Sequence, residues 1–226
     1  MSETAEARRR AARPRDAATL VLYRRDGGGL RVLMGQRGSG HKFMPDRYVF
    51  PGGRIDRADY HVAPAAPLQP RVEAILARSA GPAKARALAL AAVRETFEET
   101  GLIVGRRLGR APGRVPEAWR EFFAAGFGPA LDRLEYFTRA VTPPYRPIRF
   151  NARFFMAEAD ELDGELKGSG ELLHLDWLPV AQARELPLPN ITKYVLENLE
   201  QLVEERGRRS VRLYRYLYGR HVMSEE

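Results

Sequence analysis

A long segment that closes with RETFEETG, at residues 94–101, predicts a helix with one buried side. Gly81 and Pro82 suit its first positions, and Gly101 suits its end, because glycine readily takes the left-handed conformation that often follows a helix. Apolar or small residues recur along one stripe at helical spacing, namely Ala85, Ala89, Ala92, Val93, Thr96 and Phe97. We expect this stripe to be buried, which leaves the glutamates of the last two turns facing solvent or a cleft.

Segments on both sides of this helix predict β-strands, and therefore an α/β fold. DAATLVLYRRDGGGLRVLMGQR, at residues 16–37, predicts a hairpin that turns at its three glycines. Further strands are predicted for YVF (48–50), LEYFTRAV (134–141), PIRFNARFFMAEA (147–159) and LLHLDWLPV (172–180). We expect an α/β/α sandwich around a mixed sheet, with the acidic helix packed on one face.

The chain is predicted to form one domain with a tail and an insertion. Residues 1–15 are a polar, Arg-rich tail, and 16–226 form the domain. The insertion lies at about 60–81, and a C-terminal helix and extension occupy 190–226. No linker or internal repeat divides the chain.

Local signals place the remaining helices. The segment 54–81 is predicted to be irregular, with one short helix near 71–77, because its prolines interrupt any helical period. Asn190 can cap the C-terminal helix and Gly207 can stop it. The closing segment 210–219 alternates like a strand, with a helix as the alternative.

Composition narrows the chemistry that the protein can perform. The chain has no cysteine, which excludes disulfides, thiol nucleophiles and CxxC zinc sites. Thirty-seven Lys and Arg against 29 Asp and Glu give a formal charge of +8, which favours anionic partners such as phosphates, nucleotides or nucleic acid. Solvated surface and the Arg8 to Arg15 tail could also account for much of that excess. The chain has no apolar run of membrane-spanning length and no signal-like apolar core, so we expect a cytoplasmic protein with no membrane partner.

Three glutamates at the end of the helix predict a bound cation. At about 100° of rotation per residue, Glu95 and Glu99 lie on nearly the same face and Glu98 lies about 60° to the other side, so all three can converge. Repulsion between like charges at these spacings costs roughly a few tenths of a kcal/mol each, and the helix dipole costs about 0.3–1 kcal/mol per carboxylate. Arg94 can offset part of this by pairing with Glu98, and Mg²⁺ or Mn²⁺ could neutralise the rest. For three acids alone, a solvated, salt-bridged helix face is the alternative.

The residues around these glutamates resemble the Nudix box. That motif is a glycine, five residues, a glutamate, seven residues and then REUxEExGU, with U an aliphatic residue. Gly53 and RETFEETGL at 94–102 match it, and FPGG at 50–53 strengthens the match. Asp59 stands where the family has glutamate, and 34 residues at 60–93 stand where it has seven. Thr96 also replaces an aliphatic residue, and these departures leave the role of Asp59 open.

The similarity covers about residues 16–185 and implies a Nudix-type sandwich with a helical or irregular insertion inside the box. QRGSGHKFMPDRYVFPGGRIDRAD, at 36–59, is similar to the pattern of coenzyme A diphosphatase-like Nudix proteins, which carry an interrupted box of this type. Arg37 lies thirteen residues before Phe50, as in the CoA-directed signature. Lys42 replaces an arginine of that pattern, so the resemblance supports the lineage more firmly than the substrate.

The resemblance implies metal-dependent hydrolysis of a diphosphate linkage in a nucleoside diphosphate derivative, with CoA or acyl-CoA as candidates. Alternatives are an ADP-ribose, dinucleotide or RNA pyrophosphohydrolase, or a non-catalytic module that binds nucleotide or RNA. A small-molecule substrate is favoured over nucleic acid, and a homodimer is a further expectation.

The resemblance also assigns roles to residues. Glu95, Glu98 and Glu99 would bind Mg²⁺ or Mn²⁺, with a backbone carbonyl near Gly53 as a further ligand, and Arg94 would orient the glutamates. The general base is either a box glutamate or an acid from a later loop, for which Glu171 is the candidate; an exposed loop residue is the alternative. Arg37 and Lys42 are candidates for contacts with substrate phosphates, although basic residues beside a hairpin are often only solvated.

Overall fold

A computed structural model describes residues 12–110, 112–208 and 210–226, so most of the predicted tail at 1–15 lies outside the described residues. The strands are β1 (Arg15–Asp26), β2 (Gly29–Arg37), β3 (Tyr48–Val49), β4 (Gly52–Arg54), β5 (Leu102–Ile103), β6 (Gly105–Arg107), β7 (Phe127–Pro129), β8 (Glu135–Val141), β9 (Phe150–Glu158), β10 (Asp163–Gly164), β11 (Leu172–Pro179), β12 (Arg212–Leu217) and β13 (Arg220–Glu225). The helices are α1 (Pro70–Ala80), α2 (Pro82–Thr100), α3 (Arg120–Ala124), α4 (Val180–Ala183) and α5 (Asn190–Glu204). Short 3-10 helices cover Arg57–Tyr60, Glu117–Trp119 and Leu131–Arg133.

A mixed sheet forms the centre of the molecule, with strand order β11-β2-β1-β9-β8-β12-β13. The predicted hairpin is present, since β1 and β2 pair antiparallel, whereas β1 and β9 run parallel. Two short strands join this path from the side: β3 pairs with β2, and β4 pairs with β1. The second pairing sets Ala18 opposite Gly53, so the glycines after Phe50 lie against the middle of the sheet.

Alternate side chains of the central strands enter two separate cores. In β1, Leu20 and Leu22 belong to the core shared with α1, α2 and α3, whereas Val21 and Tyr23 belong to the core shared with α4 and α5. All four side chains are nearly inaccessible to solvent. This period of two follows from the pleat of a strand that is covered on both faces. The predicted α/β/α sandwich around a mixed sheet is therefore confirmed.

Helix α2 has the predicted limits but a wider buried surface. It begins at Pro82 and ends before Gly101, whose φ of 74° is left-handed and whose N–H donates to the carbonyl of Phe97 at 2.8 Å. Every residue in 87–93 is fully buried, not only one stripe, because α1 also packs against α2 with its own apolar side chains. The insertion therefore covers part of the helix that carries the glutamates.

Three local details differ from the predictions. Asn190 is the first residue of α5 and not its cap, because Pro189 precedes the helix and no side chain caps it. The helix ends at Glu204, before Gly207, and α1 is longer than the short helix that was predicted. The closing segment forms strand β12, as its alternation predicts, but it continues into a hairpin with β13. None of the helices in the described residues is both long and apolar enough to cross a membrane.

Candidate active site

Arg94 lies at the centre of a network of carboxylates and is only 5% exposed. Its Nε and Nη2 atoms donate to the two carboxylate oxygens of Asp59 at 2.9 and 3.1 Å. Its Nη1 atom lies 2.9 Å from Glu98 and 3.0 Å from Glu95, and Nη2 also donates to the carbonyl of Arg54 at 3.0 Å. Burial alone would lower the pKa of Arg94, but Asp59 and the two glutamates outweigh it and raise that pKa. Arg94 is thus a permanently charged tether for three acids.

Asp59 is completely buried, so it can contact neither a substrate nor solvent. Besides Arg94, it accepts hydrogen bonds from the indole Nε1 of Trp119 at 3.0 Å and from the backbone N–H of Asp56 at 2.8 Å. The aspartate that departs from the Nudix pattern therefore anchors Arg94 from below the surface. No sequence signal predicted that Trp119, 60 positions further along the chain, would donate a hydrogen bond to Asp59.

Two glutamates of α2 lie directly against the glycines of β4. The Oε2 atom of Glu99 accepts the backbone N–H of Gly52 at 2.9 Å. A Cβ atom on Gly53 would lie only 2.3 Å from the carboxylate carbon of Glu95. A Cβ on Gly52 would lie 2.4 Å from the carbonyl oxygen of Ala18. Glycine at position 53 therefore allows α2 to bring the Glu95 carboxylate close to the strand backbone, whereas glycine at position 52 allows β4 to pack against β1.

The pKa values of all three glutamates of α2 are raised, because burial outweighs the cations and hydrogen-bond donors around them. Burial raises the pKa of Glu95 to about 7, although Arg94 opposes the change. Burial raises the pKa of Glu99 to about 8, although the N–H of Gly52 opposes it. Burial also raises the pKa of Glu98, against the effect of Arg94. A cation held beside Glu95 and Glu99 would favour their charged forms.

The convergence that helical geometry predicts for the three glutamates stays a prediction, and Glu95 and Glu98 both lie within 3.0 Å of the Nη1 atom of Arg94. Glu98 is drawn to Arg94, and its side chain is 40% exposed. Across the described ranges, no three acidic or histidine side chains are arranged to hold a metal ion. Glu95 and Glu99 nevertheless fit a magnesium or manganese site, because Mg²⁺ commonly takes one or two carboxylates and completes its shell with water and phosphate oxygens. The carbonyl of Gly53, a residue that packs against the Glu95 carboxylate, stays a predicted further ligand.

The later acid and one of the two predicted basic residues lie near the same glutamates. Glu171 directly precedes β11, whose Leu172 pairs with Arg37 of β2. Its negative charge contributes to the raised pKa of both Glu98 and Glu99.

Arg37 is held in place by Phe43. Its guanidinium donates to the carbonyl of Phe43 at 2.9 Å and lies 5.4 Å from the centre of the Phe43 ring. Burial lowers the pKa of Arg37, and the charge of Glu99 opposes this. Lys42 is exposed on the loop between β2 and β3. Arg37 is therefore fixed beside the carboxylates, whereas Lys42 is solvated.

Known proteins resemble this chain in sequence and in fold. A solved structure, a Nudix hydrolase from Alicyclobacillus acidocaldarius, superposes with a TM-score of 0.65 at 29% identity, over 83% of this chain and 91% of that chain. The chain has the Nudix fold. It is also 25% identical over 204 residues to the Caenorhabditis elegans protein "Putative nudix hydrolase 7", and it spans 61% of that relative's length. No protein-family model matches the chain. The two similarities support membership of the Nudix hydrolase family.

Within this Nudix fold, the two segments that resemble the halves of the Nudix box are in direct contact. Gly53 of the first half touches Glu95 of the second, and Asp59 of the first half binds Arg94 of the second. The residues at 60–93 form an excursion that leaves and returns at these contacts. The insertion therefore does not separate the glycines from the glutamates.

Proposed function

We propose that the protein is a Nudix hydrolase that cleaves a diphosphate linkage in a nucleoside diphosphate derivative, with Mg²⁺ or Mn²⁺. The observation that carries this proposal is the position of two carboxylates, the partly buried Glu95 and the buried Glu99, against the backbone of Gly53 and Gly52. Burying such groups without compensation is unfavourable, and a hydrolase that handles diphosphates gains a cation site in return. The similarity to Nudix hydrolases supports the same class of reaction.

Each side chain has a distinct task in this proposal. Glu95 and Glu99 would hold the cation, together with the carbonyl of Gly53 and with Glu98 after it leaves Arg94. The bound cation would neutralise charge on the phosphate oxygens and favour ionisation of the attacking water. Arg94 would position Glu95 and Glu98 without contacting substrate, because it is buried and already bonded on both sides.

Proton removal from the attacking water falls to Glu171 in this proposal. Glu171 is exposed, and its negative charge raises the pKa of Glu98 and of Glu99. It is not among the acids that Arg94 binds. Glu171→Gln should lower kcat by about 10²–10⁴-fold, the usual contribution of a general base. It should leave magnesium binding intact, as measured by calorimetry. An unchanged kcat would assign the base to a glutamate of α2.

For the substrate, we propose CoA or an acyl-CoA. The support is the 36–59 pattern and Arg37, whose guanidinium lies in the electrostatic range of Glu99 and is oriented by Phe43. A guanidinium beside a cation site can bind a second phosphate oxygen with two parallel hydrogen bonds. Lys42 could add a weaker contact only if its loop closes over the substrate.

A substrate panel tests this function. The protein would be incubated with Mg²⁺ or Mn²⁺ and with CoA, acyl-CoA, ADP-ribose, NADH, diadenosine polyphosphates or capped RNA, and the products identified by mass. Glu98→Gln and Glu99→Gln should abolish turnover, whereas Glu73→Gln, on the exposed side of α1, should not. Unaffected turnover in the Glu98→Gln/Glu99→Gln double variant would refute the mechanism. Salt-dependent RNA binding without any turnover would instead favour the non-catalytic module.

We also propose a homodimer that forms through β13, which is an edge of the main sheet. Two copies of RHVMSE, at 220–225, can pair antiparallel about a point between Val222 and Met223. This register sets Arg220 of one copy opposite Glu225 of the other, a favourable cross-strand pair. Light scattering should show a dimer that Arg220→Glu weakens and that Arg220→Glu/Glu225→Arg restores. A monomer at all accessible concentrations would exclude this interface.

A further inference from the structure

An open cleft of about 650 Å³ borders the carboxylate site on the side of Glu95. It lies between the start of β1, the loop after β4 and the first turn of α2. Its lining residues are Arg15, Asp16, Arg54, Ile55, Asp56, Arg57, Tyr60, Lys84, Arg94 and Glu95. Five of these residues are basic and three are acidic, so the cleft is positively charged. Arg37 and Glu171, whose charges act on Glu99, do not belong to it.

The acids of this cleft are already engaged by other groups. Asp16 forms ion pairs with Lys84 at 2.8 Å and with Arg153 at 3.0 Å. Asp56 accepts the backbone N–H of Ala58 at 2.7 Å, where it caps a 3-10 turn. Glu95, the third acid, is bound to Arg94, as described above. None of the three is left to neutralise the remaining cations.

Three arginines around the cleft have no acidic partner in the part of the chain that the structure describes. Within residues 12–110, 112–208 and 210–226, no carboxylate lies within ion-pair distance of Arg15, Arg54 or Arg57, and all three residues are exposed. Arg54 is the last residue of β4 and Arg57 is the first residue of the 3-10 helix that follows, and the carbonyl of Arg54 is fixed by Arg94. This segment is held by the buried Asp59, so the arginines project from a rigid support.

We propose that this cleft binds a phosphate-bearing group. Exposed guanidinium groups that converge from different elements match the oxygens of phosphate, and each can donate two hydrogen bonds. The volume lies within the range of small-ligand sites, so it has room for more than one phosphate. Because Glu95 lines both the cleft and the carboxylate site, a phosphorylated end of the substrate could extend from one into the other. A free polyphosphate that binds beside the substrate would use the same chemistry.

Binding can be measured without turnover, which separates this proposal from the proposed hydrolase activity. Inorganic tripolyphosphate would be titrated into the full chain by calorimetry in EDTA, so that no cation bridges it to Glu95 and Glu99. Arg54→Ala/Arg57→Ala should weaken binding by at least about tenfold, whereas Arg78→Ala/Arg86→Ala, at exposed positions outside the cleft, should change it less than about twofold. Equal affinity in the two double variants would overturn the proposal. Matching unfolding midpoints would show that both variants are folded.

A second arm, which rests on the proposed function, distinguishes the two sources of the phosphate. CoA and 3′-dephospho-CoA differ by one phosphate, as do NADPH and NADH. If the cleft receives the substrate, Arg54→Ala/Arg57→Ala should raise KM for the phosphorylated member of a pair at least about fivefold more than for the other. If it receives a free polyphosphate, the KM values for the two members of a pair should change equally in the variant. The change in rate that tripolyphosphate causes in the wild type should then be absent from the variant. Unchanged kinetics in both tests, together with unchanged binding, would reject the site.

Discussion

Replacing Asp59 by Asn should destabilise the protein severely, because the substitution removes one half of a buried ion pair. Asp59 is completely buried and accepts four hydrogen bonds: two from Arg94, one from Trp119 and one from the N–H of Asp56. An asparagine keeps the shape but offers a single acceptor oxygen. Its NH₂ group would face donors on one side, and the charge of Arg94 would lose its most buried partner.

The expected loss follows from these contacts. Removing one partner of a buried ion pair typically costs about 3–5 kcal/mol in free energy of unfolding, because the other charge stays buried without compensation. For a chain of this size, a loss of about 1 kcal/mol lowers Tm by roughly 2–4 °C. Asp59→Asn should therefore lower Tm by roughly 6–20 °C. The change is a large fraction of a total stability of about 5–15 kcal/mol.

Urea unfolding followed by tryptophan fluorescence provides the measurement, since Trp119 is buried against Asp59. The matched control is Asp163→Asn, which removes an exposed ion pair with Arg107 at 3.1 Å. That pair should contribute no more than about 1 kcal/mol. The comparison holds the chemical change constant and varies only the burial of the charge.

A double variant makes the test specific to the ion pair. Asp59→Asn/Arg94→Met removes both charges, so its loss in free energy should be smaller than the sum of the two single losses by about 0.5–3 kcal/mol. If Asp59→Asn lies within about 1 kcal/mol of Asp163→Asn, or if the two losses are additive, the view of Asp59 as the anchor of Arg94 is wrong.

Three further predictions concern the neighbouring residues. Gly53→Ala should lower kcat at least about tenfold, because the added Cβ would lie 2.3 Å from the carboxylate carbon of Glu95 and would push that carboxylate aside. Steady-state kinetics would show the loss, and an unaltered kcat would contradict the geometry. Glu99→Gln should retain its stability in EDTA, since Glu99 is buried and forms no ion pair with any residue that the structure describes, but its Tm should no longer rise with Mg²⁺ as in the wild type. Burial alone would raise the pKa of Asp16, but Lys84 and Arg153 lower it. A lowered pKa stabilises the fold above the unfolded value of about 3.9, so Asp16→Asn should reduce stability at pH 7 and the difference should shrink below about pH 4, as urea titrations at each pH would show.

Features with local causes were predicted well from the sequence. The hairpin of β1 and β2, and the limits of α2 at Pro82 and Gly101, depend on glycine, proline and short-range periodicity. These signals lie within the segments that they shape. The glutamates of α2 were also found from their spacing and from the resemblance, and the structure sets Glu95 and Glu99 beside Gly53 and Gly52.

Features that depend on distant contacts were not predictable in this way. Helical spacing predicted the pair between Arg94 and Glu98, but nothing near α2 indicated that Asp59, from another segment, fixes Arg94. Trp119 completes that network from a third segment. The basic cleft is likewise assembled from β1, the loop after β4 and α2, so no contiguous motif announces it. Asn190 fits a capping position by type, but Pro189 occupies that position and the helix begins at Asn190.

The contact between Asp59 and Arg94 holds together the two ends of the segment at 60–93. Doubling the length of a flexible loop adds only about 0.6 kcal/mol of closure entropy, which is small beside the contribution expected of a buried ion pair. New sequence introduced at the connection between α1 and α2 around Gly81, where φ is 79° and no atom crowds the glycine, would leave the contact between Asp59 and Arg94 in place. This connection is accordingly where a reporter peptide or a sensor module could be grafted while the glycines and glutamates keep their places.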